Sequence, residues 1–403
     1  MPARTSTEGA SHPRSRGRPE RGRGGRSARP PESSDGTDGD AGRLAPPTGS
    51  PNSTTAPPLT PLAPAAPIGG APGGTAPSGE PGVPGRLGTG TFTIEGRAAP
   101  GLFVVGWLGT LLALGSIVVA ILSGGGFAAT VLLIVGLVLL SIGLIAAAGS
   151  QGIERRARAV HPYQGPSPLL VFGASIPLSI LAAIVIAIPL QFLDVPLDGP
   201  LGALGSVLIQ AVIYVWLVRL LVVDTGALSW LEMGISRLPP ARAISEMATG
   251  AIFVVPVLFV TGLLAQLLTQ VFPVTPTSPL PPTGTTSGLI LSLIAGVLVA
   301  PAGEEILFRG FSTTAWVRGL GRTNGLILGA LFFAFAHVLT VTGTSAGEAF
   351  QLAFVAFAGR IPVAIALGWL FLNRGTIWAS FGLHATFNGI LLIVAEAISR
   401  TAS

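Results

Sequence analysis

The 403-residue chain has no cysteine and no lysine. Without cysteine it can form no disulfide scaffold, no Cys-ligated zinc or iron–sulfur centre and no cysteine nucleophile. Without lysine it has neither Schiff-base chemistry nor the lysine of a phosphate-binding loop. Charge of either sign is scarce, at 10% of residues, where a soluble domain carries roughly 25%. Apolar residues make up 49% of the chain, and mean hydropathy is +0.68. Most of such a chain cannot face water. The 23 basic residues, all arginine, exceed the 18 acidic ones by only five, too small an excess to form a nucleic-acid-binding face.

What charge there is gathers first in residues 1–97, which hold 17 of the 35 prolines, much Gly, Ser and Thr, and no long aliphatic run. That stretch cannot bury enough apolar surface to offset its ordering entropy, so a disordered tail is expected. Its arginines, from Arg14 to Arg29, precede no apolar segment of signal-peptide type, so no cleavable signal is expected.

From Ala98 the character changes. Residues 98–153 and 247–303 contain no charged residue, and each is long enough for two spans at about 20 residues per span. The expected spans are 101–122, 127–149, 169–193, 201–223, 247–272, 288–308, 323–341, 349–372 and 375–396. The fold class is therefore an all-α polytopic membrane protein with eight to nine transmembrane helices, one of the last three being a candidate for a re-entrant segment. Arginine placement orients it. The tail, Arg155–Arg158, Arg237–Arg242, Arg318–Arg322 and Arg374 alternate with arginine-free loops that hold Asp194 and Asp198 or span 273–287. The expectation is a multi-pass protein of the cell membrane with a cytoplasmic N-terminus.

Ionisable groups inside a bilayer are expensive and mark function, and here they are few: Glu304, Glu305, Arg309, His337, Arg360 and His384, with Asn388 beside them. Glu305 and Arg309 are four apart and can pair along one helix, which leaves Glu304 as the free carboxylate near the histidines. His384 and Asn388 are also four apart. Arg360, between Gly359 and Pro362, reads as structural, served by a helix break or by snorkelling. A desolvated glutamate beside histidine can take a proton from water, and a second histidine with an amide can donate to an oxyanion. Glu304, His337 and His384 could equally ligate zinc, with Glu305 left as base. Both inventories serve water-dependent acyl hydrolysis.

Three motifs occur in order: Glu304-Glu305-Ile306-Leu307-Phe308-Arg309, Phe333-Ala334-Phe335-Ala336-His337 and His384-Ala385-Thr386-Phe387-Asn388. They resemble the EExxxR, FxxxH and HxxxN motifs of the CPBP family, which comprises the type II CAAX prenyl proteases and the bacteriocin-processing, or Abi, proteins. The resemblance spans about 285–395. Composition alone sets the tail at 1–97, and the resemblance then separates N-terminal transmembrane helices 98–283 from a catalytic transmembrane region 284–397.

The resemblance implies an all-helical intramembrane endopeptidase. Glu304 would be the water-activating base, His337 its assistant or a metal ligand, and His384 with Asn388 the oxyanion site. Glu305 and Arg309 would be the accompanying pair. Family members are described both as metalloproteases and as metal-free glutamate proteases, so zinc stays open as a cofactor. The partners implied are the bilayer and a membrane protein or peptide substrate, with no nucleic acid. A lysine-free, Ala/Gly/Pro/Arg-rich composition suggests a GC-rich bacterial genome, where prenylated substrates are unexpected. The alternatives from other classes are a non-enzymatic immunity or scaffold protein, and a proton-coupled transporter, which the lack of a visible repeat disfavours.

Overall fold

The structure, a computed structural model of the chain, describes residues 93–402 apart from 160, 195, 276, 277 and 279. The tail expected over 1–97 therefore lies, as far as residue 92, outside the described residues. The described residues all belong to one compact unit. Those residues form helices and connecting turns, with no strand among them.

The helices are α1 (Pro100–Leu122), α2 (Phe127–Arg158), α3 (Pro168–Phe192), α4 (Pro200–Val218), α5 (Pro240–Ile252) and α6 (Val254–Val271), then α7 (Thr286–Leu293), α8 (Ala300–Glu304), α9 (Thr314–Leu320), α10 (Arg322–Ala336), α11 (Ala346–Arg374) and α12 (Ile377–Ala402). Proline opens α1, α3, α4 and α5, where its missing N–H would have no intrahelical partner and its φ is preset. Between α1 and α2 the chain reverses at Gly124, Gly125 and Gly126, with φ of 70°, 106° and 89°, values that a side chain would strain. Helices α5 and α6 form one rod interrupted at Phe253, because Pro256 cannot donate to the carbonyl of Ile252.

Eight of the resulting rods are long and apolar enough to cross a membrane. Their outer faces expose large aliphatic and aromatic side chains, among them Leu112, Ile121, Leu122, Val185 and Phe259, as lipid-facing helices must. The interior is aromatic. Phe308 packs 5.3 Å from Phe332, 5.2 Å from Phe333, 6.0 Å from Phe172 and 6.2 Å from Tyr214, centroid to centroid.

The two ends of the bundle differ in charge. At one end Arg155 donates to the Gly165 carbonyl at 2.8 Å, Arg318 pairs with Glu232 at 2.7 Å, Arg322 reaches Asn373 at 2.7 Å, and Arg374 holds both oxygens of Glu246 at 2.8 Å. At the other end the Thr283 amide donates to Glu396 at 2.7 Å, Arg400 pairs with Glu396 at 2.9 Å, and Phe272 packs 5.3 Å from Phe354.

Two expected spans change. The sixth, expected to end at 308, continues as a single rod from Thr286 to Leu320. Glu304, Glu305 and Arg309 therefore stand near its middle rather than at its end, because pairing of Arg309 with Glu305 lets charge pass through the bundle without terminating the helix. The seventh, expected over 323–341, is only the 15-residue α10, about 22 Å long at 1.5 Å per residue against a hydrocarbon core of about 30 Å. It begins beside Asn373 at the arginine-rich end and stops at His337. The chain then continues without α-helix to α11, whose first turns lie with Phe272 at the opposite end. The seventh passage is thus half helix and half loop.

Candidate active site

The rod that carries the paired glutamates changes its winding where they sit. Ile294–Val299 and Glu305–Thr313 are π-helical, a winding with i→i+5 bonding that tends to occur at functional sites. Within the second segment the Ser312 and Thr313 hydroxyls donate to the carbonyls of Leu307 and Phe308, five residues back, each at 2.8 Å. These bonds hold the widened turn in place. Glu305 is fully buried and lies 3.4 Å from the Arg309 guanidinium, itself 2% exposed. The Arg309 guanidinium also sits 4.0 Å over the ring of Phe333, a cation–π contact strengthened by desolvation.

Adjacent helical side chains point about 100° apart, yet both glutamates reach the same imidazole. His384 presents Nδ1 to Glu305 Oε1 at 2.8 Å and Nε2 to Glu304 Oε2 at 3.6 Å. His337 is the C-cap of α10. Its Nδ1 lies 2.7 Å from the Phe333 carbonyl, and its Nε2 lies 3.5 Å from the same Glu304 oxygen. Phe333 packs against both rings, 4.3 Å from His337 and 5.6 Å from His384, centroid to centroid.

These distances place two of the protons. A carbonyl and a carboxylate only accept, so each Nδ1 must carry a hydrogen, and each Nε2 then faces Glu304 with a lone pair when its ring is neutral or with an N–H when its ring is charged. Separations of 3.5 and 3.6 Å exceed a direct hydrogen bond, and Glu304 Oε2 is buried without a hydrogen-bond partner. With both rings neutral, three lone-pair-bearing atoms facing one another call for something that carries protons or positive charge: a water, a proton on an imidazole or a metal ion. The donor set suits zinc, and the two measured separations approximate the edge of a zinc tetrahedron, about 3.4 Å for bonds of 2.0–2.1 Å. Among the described residues, however, these three side chains as they stand do not form a metal-holding group.

Exposure is graded across the cluster: His337 is 24% exposed and Glu304 13%, while His384 is 4% and Glu305 not at all. The accessible side is therefore that of Glu304 and His337. Glu305, which the sequence offered as the base of a zinc site, is fully buried with its Oε1 on His384 and Arg309, away from the accessible side.

Of the sequence-derived residues, Glu304, Glu305, Arg309, His337 and His384 converge. Asn388 stands one turn along α12 from His384 but bonds to none of them; its Nδ2 donates to the Gly296 carbonyl at 2.9 Å, in the first π-helical segment. Arg360 is not at a helix break. Helix α11 runs through Pro362, and Arg360 donates to the Ala356 carbonyl at 2.9 Å. Sequence reasoning passed over Phe333 as a site residue, although its position four residues before His337 placed it one turn away. It also passed over the Gly296 carbonyl, for which no sequence signal exists. A cavity of about 650 Å³ between α1, α2 and α3, lined in part by Phe103, Trp107, Arg155 and Arg158, contains none of the site residues.

Neither a curated protein nor a solved structure matches the chain. The three-motif resemblance is a family match: residues 286–390, which supply every residue of this site, match the model of the Rce1-like family, the type II CAAX prenyl endopeptidases.

Proposed function

We propose that the protein is an intramembrane endopeptidase that hydrolyses a peptide bond of a membrane-associated polypeptide, with Glu304 as general base. The observation that carries this reading is the convergence of the two Nε2 atoms on Glu304 Oε2 at 3.5 and 3.6 Å, with both Nδ1 atoms committed elsewhere. A water held there gives its proton to Glu304 as its oxygen adds to the scissile carbonyl carbon. The oxyanion that forms is met by His384, whose Nε2 carries a proton when Glu305 balances the imidazolium from behind. The second amide hydrogen of Asn388, not engaged by Gly296, completes the donor pair. Glu304 then passes its proton to the leaving nitrogen as the C–N bond breaks, which yields a new carboxyl terminus and a new amine.

A zinc ion in the same place would be held by Glu304, His337 and His384 and would supply Lewis-acid polarisation of the carbonyl. Metal analysis of the purified protein, with and without His337→Ala, distinguishes the two forms. In the cell membrane, the end bearing Arg155, Arg318, Arg322 and Arg374 is the cytoplasmic one, because arginine-rich loops are retained on that side.

The test uses purified protein in liposomes with palmitoyl- or farnesyl-anchored decapeptides of randomised sequence, and reads the products by mass spectrometry. The parent protein releases fragments. Glu304→Gln, which keeps the shape of the side chain but takes no proton, releases none while it accumulates and unfolds like the parent. Cleavage by Glu304→Gln equal to the parent's, or no cleavage by either, overturns the reading.

A further inference from the structure

Glu304, Glu305, Arg309 and Arg360 stand midway along the bundle rather than at its ends. Glu305 and Arg309 pair with each other, and Glu304 faces the two histidines. Arg360 has a different situation. Its one hydrogen bond is Nη1 to the Ala356 carbonyl on its own helix, and among the described residues no carboxylate lies within ion-pair distance of it. Its position on α11 is inward. Ala356, Val363, Ala364 and Leu367, at intervals of three and four residues around it, are all buried, while Ile365 and Trp369, on the far side of the helix, are exposed to the lipid-facing surface. Helix α11 packs against α10, α12 and the π-helical segment Glu305–Thr313, the elements that carry His337, His384 and Glu305. A cation with four of its five N–H donors uncommitted therefore stands on the face of α11 that is packed toward the site.

Resting on the endopeptidase reading above, we infer that Arg360 forms a carboxylate-binding subsite, which holds an acidic group of the substrate close to the scissile bond. A guanidinium desolvated in this way favours a planar anion that it can bind bidentately. A phospholipid headgroup fits less well, since headgroups lie at the two ends of the bundle and Arg360 points away from the lipid. The carboxylate can come from the C-terminus of the substrate or from an Asp or Glu side chain.

The experiment separates these sources and separates this inference from the one it rests on. The anchored randomised decapeptides are prepared once as free C-terminal acids and once as C-terminal amides, and both pools are given to the parent, to Arg360→Gln and to Arg360→Lys. If the carboxylate is terminal, the parent processes the acid pool about 10- to 100-fold better than the amide pool, the discrimination a charged hydrogen bond supplies. If it is a side chain, products of both pools are enriched in Asp or Glu near the cut by a similar factor. In Arg360→Gln the preference falls to about one, and Arg360→Lys restores part of it. Retained preference in Arg360→Gln, no preference in the parent, or an equal loss on acidic and neutral peptides overturns the subsite. Should the parent cleave nothing, the endopeptidase reading fails by itself. Retention of the acid over the amide pool by Glu304→Gln protein, and its loss in Glu304→Gln/Arg360→Gln, still decides the role of Arg360.

Discussion

His384 is held from both sides by consecutive glutamates, with Nδ1 2.8 Å from Glu305 Oε1 and Nε2 3.6 Å from Glu304 Oε2. In the proposed mechanism Glu305 sets the tautomer and balances an imidazolium, while Glu304, on the accessible side, works on water. Orientation of a working imidazole by a buried carboxylate is the arrangement that triads and metal sites share. Here it is built from one π-helical segment and one helix 79 residues further along the chain.

Loss of either member of the buried ion pair is expected to cost stability rather than chemistry alone. Glu305→Gln or Arg309→Met strands the opposite charge, at about 3–5 kcal/mol. The double variant should be destabilised by less than the sum of the two. Thermal unfolding in detergent measures this, and a single variant as stable as the parent would sink the claim.

Asn388→Ala should lower the rate by about 10²–10³, the scale of one oxyanion donor. It also frees the Gly296 carbonyl, so a stability loss of about 0.5–1.5 kcal/mol should accompany it. A stability loss without any change in rate would reduce Asn388 to a tie between α12 and the π-helical segment.

The crossing of α5 and α12 admits no side chain at two glycines. A Cβ on Gly250 would lie 1.8 Å from the Ala379 carbonyl oxygen, and one on Gly382 would lie 2.1 Å from that of Met247. Gly250→Ala and Gly382→Ala should each cost about 1–3 kcal/mol and impair activity, because the helices must part and His384 is two residues from Gly382. Gly262→Ala, with open space around it, is the control and should be neutral or stabilising by about 0.5–1 kcal/mol. Equal behaviour of the three variants would refute close packing at this crossing.

Orientation is testable without background, because the chain has no cysteine. Ser236→Cys should react with an impermeant maleimide only from the cytoplasmic side, and Ser278→Cys only from outside. The reverse pattern would invert the assignment.

Much of this was legible in sequence because bilayer physics is local. About 20 apolar residues make a span wherever they occur, so the helix list came within a few residues for most rods. The cost of burying charge singled out Glu304, Glu305, Arg309, His337 and His384 before any contact was known. Where the expected spans were wrong, a pairing one helical turn away had moved the end of the helix. The sixth rod outruns its apolar stretch because Glu305 neutralises Arg309 inside it. Helix α10 ends early because the His337 Nδ1 turns back onto the Phe333 carbonyl.

The sequence alone determined that the chain crosses a membrane, where its charges could lie, and which few side chains could carry chemistry, since hydropathy, charge and spacing act over single helical turns. Only the tertiary structure decided that both Nε2 atoms meet one oxygen of Glu304, that Glu305 is sealed away from water, that Asn388 is tied to Gly296, and that Arg360 faces inward. Those facts depend on π-helical turns and on the relative depth of helices far apart in the chain. Packing of the whole bundle sets both.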